Sequence, residues 1–457
     1  MKIKTTSYKI NTLSNKDRRL TIGIDITLPN GNIKRTSAII QLHPLAYFID
    51  KASNVSFSLL YLSAIVYAID RSVERERYSV DGWSREFDVE ICIPEYESFL
   101  QHSELINKML SFLTGDFWNC SFVRTVSIPS IRYEQSKCFD DITAVSLFSG
   151  GLDSLIGAID YMTNNPSGKI FLASHYDSYM TGPKSDQEKI DLRFRKKFAG
   201  RYLHLPAVLI EPSISEETSC RSRSLMFIAI AQIIASYAQC DVTIPENGSV
   251  SLNFPLSPSR RASCSTRTTH PLFLKQLQKL IHSLGLQPCL INPYVKMTKG
   301  EMVQSCSDKD YLLQIVTESN SCGKRNMHQH MYDNRQATHC GHCMPCMYRK
   351  ASLIGEIDNT TYGNHFITLY KKKGDRVSQD FFAMLDFLKK ELTRNDIKRE
   401  LHIAGMTDFL DIDDYIIRKS KFPQNPKRSV RFSGKRTKRS VQKRKARNTQ
   451  KAETKVL

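Results

Sequence analysis

The sequence predicts an α/β fold in which a parallel sheet is covered by helices on both faces, preceded by a smaller α+β region. Three observations predict it. From Thr143 onward short apolar runs alternate with helical periodicity, the mark of a parallel sheet with crossover helices. Between the first such run, Ala144–Phe148, and the first helical face stands Ser149-Gly150-Gly151-Leu152-Asp153-Ser154. Further on, Cys340, Cys343 and Cys346 recur at intervals of three, with Cys322 upstream.

The glycine turn reads as strand, turn, helix. Leu152, Leu155, Ile156 and Ile159 lie on one helical face. Two successive glycines let the backbone approach a ligand with no Cβ in the way. The free N–H groups and positive dipole end of the helix make an anion site, to which Ser149 and Ser154 add hydroxyls. No Lys follows the glycines, unlike the loop of phosphoryl-transfer NTPases. A cradle of this kind suits holding a pyrophosphate while the α-phosphate stays open to attack. Further strands are expected at 169–174, 202–210, 241–245 and 288–291, and helices at 189–198 and 223–238. Ligands in such sheets sit at the carboxyl ends of strands. The candidates there are Ser149–Ser154, His175–Asp177, Arg221, Arg223, Glu246–Gly248 and Asn253. Thr298 and Glu301 form a capping box opening a short helix.

Residues 1–140 mix strand signals (Ile22, Ile24, Ile26; 86–94) with helical ones (55–69; 105–113), and read as an accessory unit. Asp81–Arg85 reads as a contact loop or, more simply, a structural turn. The nucleotide-binding unit is expected over 141–370 and a helical segment over 371–420. Of the net charge of +19 over 457 residues, +13 falls in 421–457, so the basicity is a tail property. That tail has too few apolar residues to bury a core and reads as disordered, available for sequence-blind contact with nucleic acid. The apolar segments 55–69 and 225–238 fall short of the ~20 residues that span a bilayer. The first 20 residues show no secretory pattern, so twelve cysteines are expected as reduced thiols in a cytoplasmic protein without membrane contact.

Cys322, Cys340, Cys343 and Cys346 are what a tetrahedral structural Zn²⁺ requires. With His328, His330, His339 and His342 nearby, a Cys₃His site stays open, as does an iron–sulfur cluster.

The loop 149–154 resembles the phosphate-binding loop of the ATP-pyrophosphatase (PP-loop) group within the adenine-nucleotide α-hydrolase (HUP) fold. The four cysteines, with Arg223-Ser224 before an apolar helix and Thr298-Lys299-Gly300-Glu301, make the stretch 143–355 similar to the 7-cyano-7-deazaguanine synthase (QueC-like) family, and to the QatC type found in anti-phage defence operons. The resemblance implies adenylation of a 7-carboxy-7-deazaguanine-like acid by ATP with Mg²⁺, then amide or nitrile formation with a nitrogen nucleophile. By position it implies phosphate binding by Ser149, Gly150, Gly151, Leu152, Asp153 and Ser154. His175 and Tyr176 would lie near the adenine, and Asp153, Arg223 and Lys299 would act on phosphate or adenylate charge.

The chain departs from the housekeeping pattern in a longer Cys322–Cys340 interval and in a polar run, 265–271, that the plain enzyme lacks in this form. A run so dense in Thr, Arg and His is expected to stay unburied. Glu246 and Asn253 are candidates for substrate contact; Arg267 and His270 either contact substrate or acceptor, or belong to a solvated loop. The extra N-terminal region suggests an acceptor amine on a companion protein of the operon. Two rivals remain: a tRNA-thiolating enzyme of the same fold, for which Cys220 and Cys264 are the nearby thiols, and a catalytically silent nucleotide-binding scaffold.

Overall fold

The computed structural model describes every residue except 13–17, 125–138, 140, 181, 205–206, 253, 256–266, 326 and 407–457. The last strand pair of the sequence reading is in place as β11 (Val242–Thr243) and β12 (Leu290–Ile291). With β6 (Ala144–Leu147), β7 (Ile170–Ala173) and β9 (Tyr202–Leu203) they form a five-stranded sheet, order β12-β11-β6-β7-β9. Every pairing in it is parallel. Along β7, Ile170 and Leu172 enter one apolar cluster while Phe171 and Ala173 enter another, because successive side chains point to opposite faces. The sheet is therefore buried on both sides, as parallel sheets are.

A second, seven-stranded mixed sheet has the order β5-β4-β1-β2-β3-β10-β8. Five of its strands come from the start of the chain: β1 (Lys2–Thr12), β2 (Arg18–Thr27), β3 (Ile33–Gln41), β4 (Glu86–Ile93) and β5 (Phe117–Arg124). The other two, β8 (His175–Tyr176) and β10 (Val208–Pro212), do not. The single strand expected over 202–210 is in fact β9 and β10, one in each sheet. Likewise the chain passes from β7 to β8 across Ser174. The Ser174 hydroxyl donates to the Phe148 carbonyl (3.0 Å) and meets His204 Nε2 (2.9 Å), while its carbonyl accepts from Val208 N (3.0 Å). Ser174 thus pins the crossing point of the two sheets.

The helix Asn54–Ser72 is buried along almost its whole length, which explains why its sequence is apolar all round. It packs beside the equally apolar helix Arg223–Ala238, joined by Ser56 Oγ to Gln232 Oε1 (2.9 Å). One apolar cluster consequently runs from Ile3 to Leu286, so the expected units 1–140 and 141–370 share a core. Arg85 is wholly buried, donating to Asp116 from Nε (3.1 Å) and Nη2 (2.8 Å) and to the Asp70 carbonyl (2.9 Å). The segment 81–85 is a structural turn: the Asp81 carboxylate accepts from Trp83 N (2.9 Å) and Trp83 stacks on Arg75 and Arg221. Beyond the cysteines, Gln379–Leu388 and Arg394–Ile403 are helical; the tail lies outside the described residues. Among the described residues no helix is long and apolar enough to cross a membrane.

Candidate functional site

At the carboxyl end of β6 the chain turns through Gly150 at φ +82° and enters the helix Leu152–Asn164. Gly150 faces Gln187 and Asp186, which a Cβ would meet at 3.3–3.4 Å. The Gly151 cap has no side chain to close the first turn, whose N–H groups lack intrahelical partners. Ser149 Oγ and Ser154 Oγ lie 3.3 Å apart, and Ser149 Oγ accepts from Gly151 N (3.3 Å). The loop lines a cavity of about 650 Å³. Ser149, Gly151, Leu152, Asp153 and Ser154 reach it, together with Arg223, Glu246 and Lys299.

Asp153 is buried behind the loop. Lys299 Nζ pairs with its carboxylate, and Asn247 Nδ2 donates to it (2.8 Å). Burial works against the Asp153 charge, but Lys299 and hydrogen bonds from Glu246, Lys299 and Asn247 outweigh it and bring the carboxyl down to about 2. Glu246, half-buried, is pushed the other way by desolvation and then by the Asp153 charge, well above the usual carboxylate range. The two acids therefore divide their roles: Asp153 holds the charge, Glu246 the proton. Asn247 Nδ2 also reaches Glu246 Oε1 (3.1 Å), locking the pair.

Arg223 opens the buried helix Arg223–Ala238. Its Nε meets His175 Nδ1 (3.5 Å), its guanidinium lies over the Phe227 ring, and its buried Nη2 has no hydrogen-bond partner. His175, expected beside an adenine, does not itself line this cavity. It is fully buried, with Nε2 on the Ile210 carbonyl (2.9 Å) and Tyr67 and Phe227 edge-on. Burial and then Arg223 drive its pKa well below the ordinary value, so it stays neutral. Its role is to seat Arg223. Tyr176 is also absent from the cavity wall; Lys184 lies over its ring at 4.9 Å.

Arg267 and His270 are structural too. Arg267 donates to the Phe112 carbonyl (2.8 Å) and stacks on that ring. His270 caps the helix Pro271–Ser283, its Nδ1 accepting from Leu272 N (3.2 Å). Thr269 and His270 are buried, against the expectation for so polar a run: Thr269 Oγ1 meets Ser251 Oγ (3.3 Å), and the His270 ring sits edge-on to Phe112 with Nδ1 spent on the cap and Nε2 left without a hydrogen-bond partner. Asn253, Cys264 and the rest of that run up to 266 lie outside the described residues.

The sulfur atoms of Cys322, Cys340, Cys343 and Cys346 all lie within 4.8 Å of one another, an arrangement that could hold a metal ion. Backbone N–H groups point at the sulfurs, Cys340 N to Cys322 Sγ (3.2 Å) and Cys343 N to Cys340 Sγ (3.3 Å). Gly341, at φ +76°, makes the turn, and its Cα packs so close to Asn364 that a Cβ would meet the carbonyl at 2.3 Å. No histidine joins this group among the described residues. His342 Nδ1 pairs with Asn364 Nδ2 (2.9 Å) and His328 Nδ1 with the Arg335 carbonyl (2.7 Å). The donor set is four thiols with N–H···S support, which fits structural Zn²⁺.

The cysteine segment touches the glycine loop directly. Asn320 N donates to the Gly150 carbonyl (2.9 Å), and Ser321 Oγ accepts from Leu152 N (3.3 Å). Asn320 Oδ1 in turn accepts from Cys322 N (2.8 Å). Arg325 closes over to Asp186, on the helix Pro183–Lys197. Asn320, Ser321, Arg325 and Arg71 were not singled out from the sequence. Ser321 and Asn320 carried a usable signal in their place just before Cys322; Arg71, ending an apolar helix, carried none. Comparison of the chain with protein families, with curated proteins and with solved structures returns no match.

Proposed function

We propose that the chain is an ATP-dependent carbon–nitrogen ligase that activates a carboxylic acid as its adenylate. The observation that carries this reading is the lysine-free glycine loop, open onto a cavity, with the Asp153–Lys299 pair behind it. The loop would hold the β- and γ-phosphates on backbone N–H groups and on the Ser149 and Ser154 hydroxyls. An acid carboxylate oxygen then bonds to the α-phosphorus as the bond to the β-phosphate oxygen breaks, and pyrophosphate stays in the loop. A nitrogen nucleophile next attacks the acyl carbon, AMP leaves with the carbon–oxygen bond pair, and the nitrogen gives up a proton. Arg223, with no carboxylate partner among the described residues, would face the negative charge that gathers at the α-phosphate. A Mg²⁺ arriving with ATP would be held mainly by the phosphates, with Asp153 the ionised carboxylate that lines the cavity beside it. That ion would spread phosphate charge. The thiol group of four would carry Zn²⁺ as a structural ion bracing the loop.

The resemblance supports a deazapurine acid as substrate and a place in anti-phage defence beside companion proteins, and the extra N-terminal region supports a protein amine as acceptor. The adenylation step is tested by acid-dependent exchange of labelled pyrophosphate into ATP by the full chain. Exchange with a 7-deazaguanine carboxylic acid is expected; exchange that needs tRNA instead favours the thiolation reading. Cys220 lines the cavity, but burial raises its thiol, which works against that rival.

A further inference from the structure

One wall of the cavity is made by a residue from the start of the chain. Arg71 lies in the last turn of the helix Asn54–Ser72, 5% exposed, and lines the same cavity as the glycine loop. Its Nη1 is held by the Glu217 carbonyl, and its nearest carboxylate is Asp177, 3.8 Å from Nε. That Nε is buried without a hydrogen-bond partner, as is Arg223 Nη2. Arg71, Cys220 and Arg223 line the same cavity, and both guanidinium charges reach the Cys220 thiol. Asp177 is committed elsewhere, accepting from Tyr67 Oη (2.6 Å) and Tyr179 N (2.8 Å). Two buried guanidinium groups with unused N–H donors on a cavity wall are matched by a planar oxyanion, since arginine presents its donors in a fork of carboxylate geometry.

We propose that Arg71 and Arg223 form an oxyanion subsite that recognises the carboxylate of the acid to be activated, so that the first 140 residues complete the substrate site. This rests on the ligase reading, in which the glycine loop takes the β- and γ-phosphates and the acid's oxygen is delivered to the α-phosphate that Arg223 also faces. A phosphate of ATP is the other source of the same chemistry, and the two separate in a binding experiment.

Calorimetry on the full-length protein would compare a 7-deazaguanine carboxylic acid with its neutral carboxamide, and separately ATP, for the wild type, Arg71→Lys and Arg71→Met. The wild type is expected to prefer acid over carboxamide at least about tenfold, a difference near 1.4 kcal/mol. Arg71→Met should erase that preference and Arg71→Lys retain part of it, with ATP affinity unchanged in both. A wild type that binds the two compounds equally overturns the proposal, as does a variant that loses ATP and keeps the preference. Should Arg71→Met fold poorly, Arg71→Lys with unchanged thermal stability carries the same comparison. Pyrophosphate exchange is read in parallel: acid preference without exchange sinks the ligase reading and leaves the subsite standing.

Discussion

Lys299 reaches Asp153 from a helix 146 positions further along the chain, and both side chains are nearly buried. Removing one partner of such a pair strands the other charge. Lys299→Met should therefore cost about 3–5 kcal/mol in denaturant unfolding, and lower pyrophosphate exchange by roughly 100-fold as a lost electrostatic contact does. Exchange at wild-type rate would remove Lys299 from the chemistry. Buried neutral histidines set the acid limit. Burial and then Arg223 hold His175 far below its usual value, and burial and then Arg267 bring His270 down to about 4. A depressed histidine binds its proton more readily in the unfolded chain, so its contribution is complete above pH 6.5 and shrinks as pH falls toward the folded value. The melting temperature should decline steadily from pH 6.5 to 4, and His270→Gln should flatten part of that decline.

The glycine loop and the cysteine segment form one mechanical unit. Gly150 needs a positive φ and its carbonyl is tied to Asn320 N. Gly150→Ala places an L-residue where it costs about 1–2 kcal/mol, against Gln187 at 3.3 Å. It should weaken ATP binding well beyond its modest effect on melting temperature, which parallel ATP titration and thermal unfolding would separate. Much of this was legible. Ser149–Ser154 announced a strand–turn–helix because glycine doublets and helical periodicity are local signals, and Thr298 with Glu301 announced the capping box that is present: Thr298 Oγ1 accepts from Glu301 N (3.1 Å). What packs against His175 and Arg267 was not legible, because position along a strand or in a polar run says nothing of a side chain's partners. Phe227 and Phe112, far off in sequence, supply those partners.

At the scale of the whole molecule, the four-thiol group should control more than its own neighbourhood. Stripping metal with a chelator is expected to lower the melting temperature and to raise amide exchange at Gly150–Leu152, through Asn320 and Ser321. Unchanged exchange there would break the link between the two sites. The α/β class and the parallel sheet followed from alternation of local patterns, but the sharing of one core by residues 3–286 did not. Strand pairing across the chain, as of β3 with β10, depends on contacts such as Ile40 opposite Ile210 that no local pattern encodes.

The passage of the chain through Ser174, with β8 and β10 serving as outer strands for the first 41 residues, bears on how this protein can be cut or transplanted. A fragment beginning at 141 would leave β10 with an unzipped flank and the helix Arg223–Ala238 stripped of its covering helix. Such a piece should aggregate on expression, whereas a break in 125–138 with both halves co-produced should reassemble. The leading region is then no detachable module, and any graft should keep it matched to the part of the chain beyond 141 that it packs on.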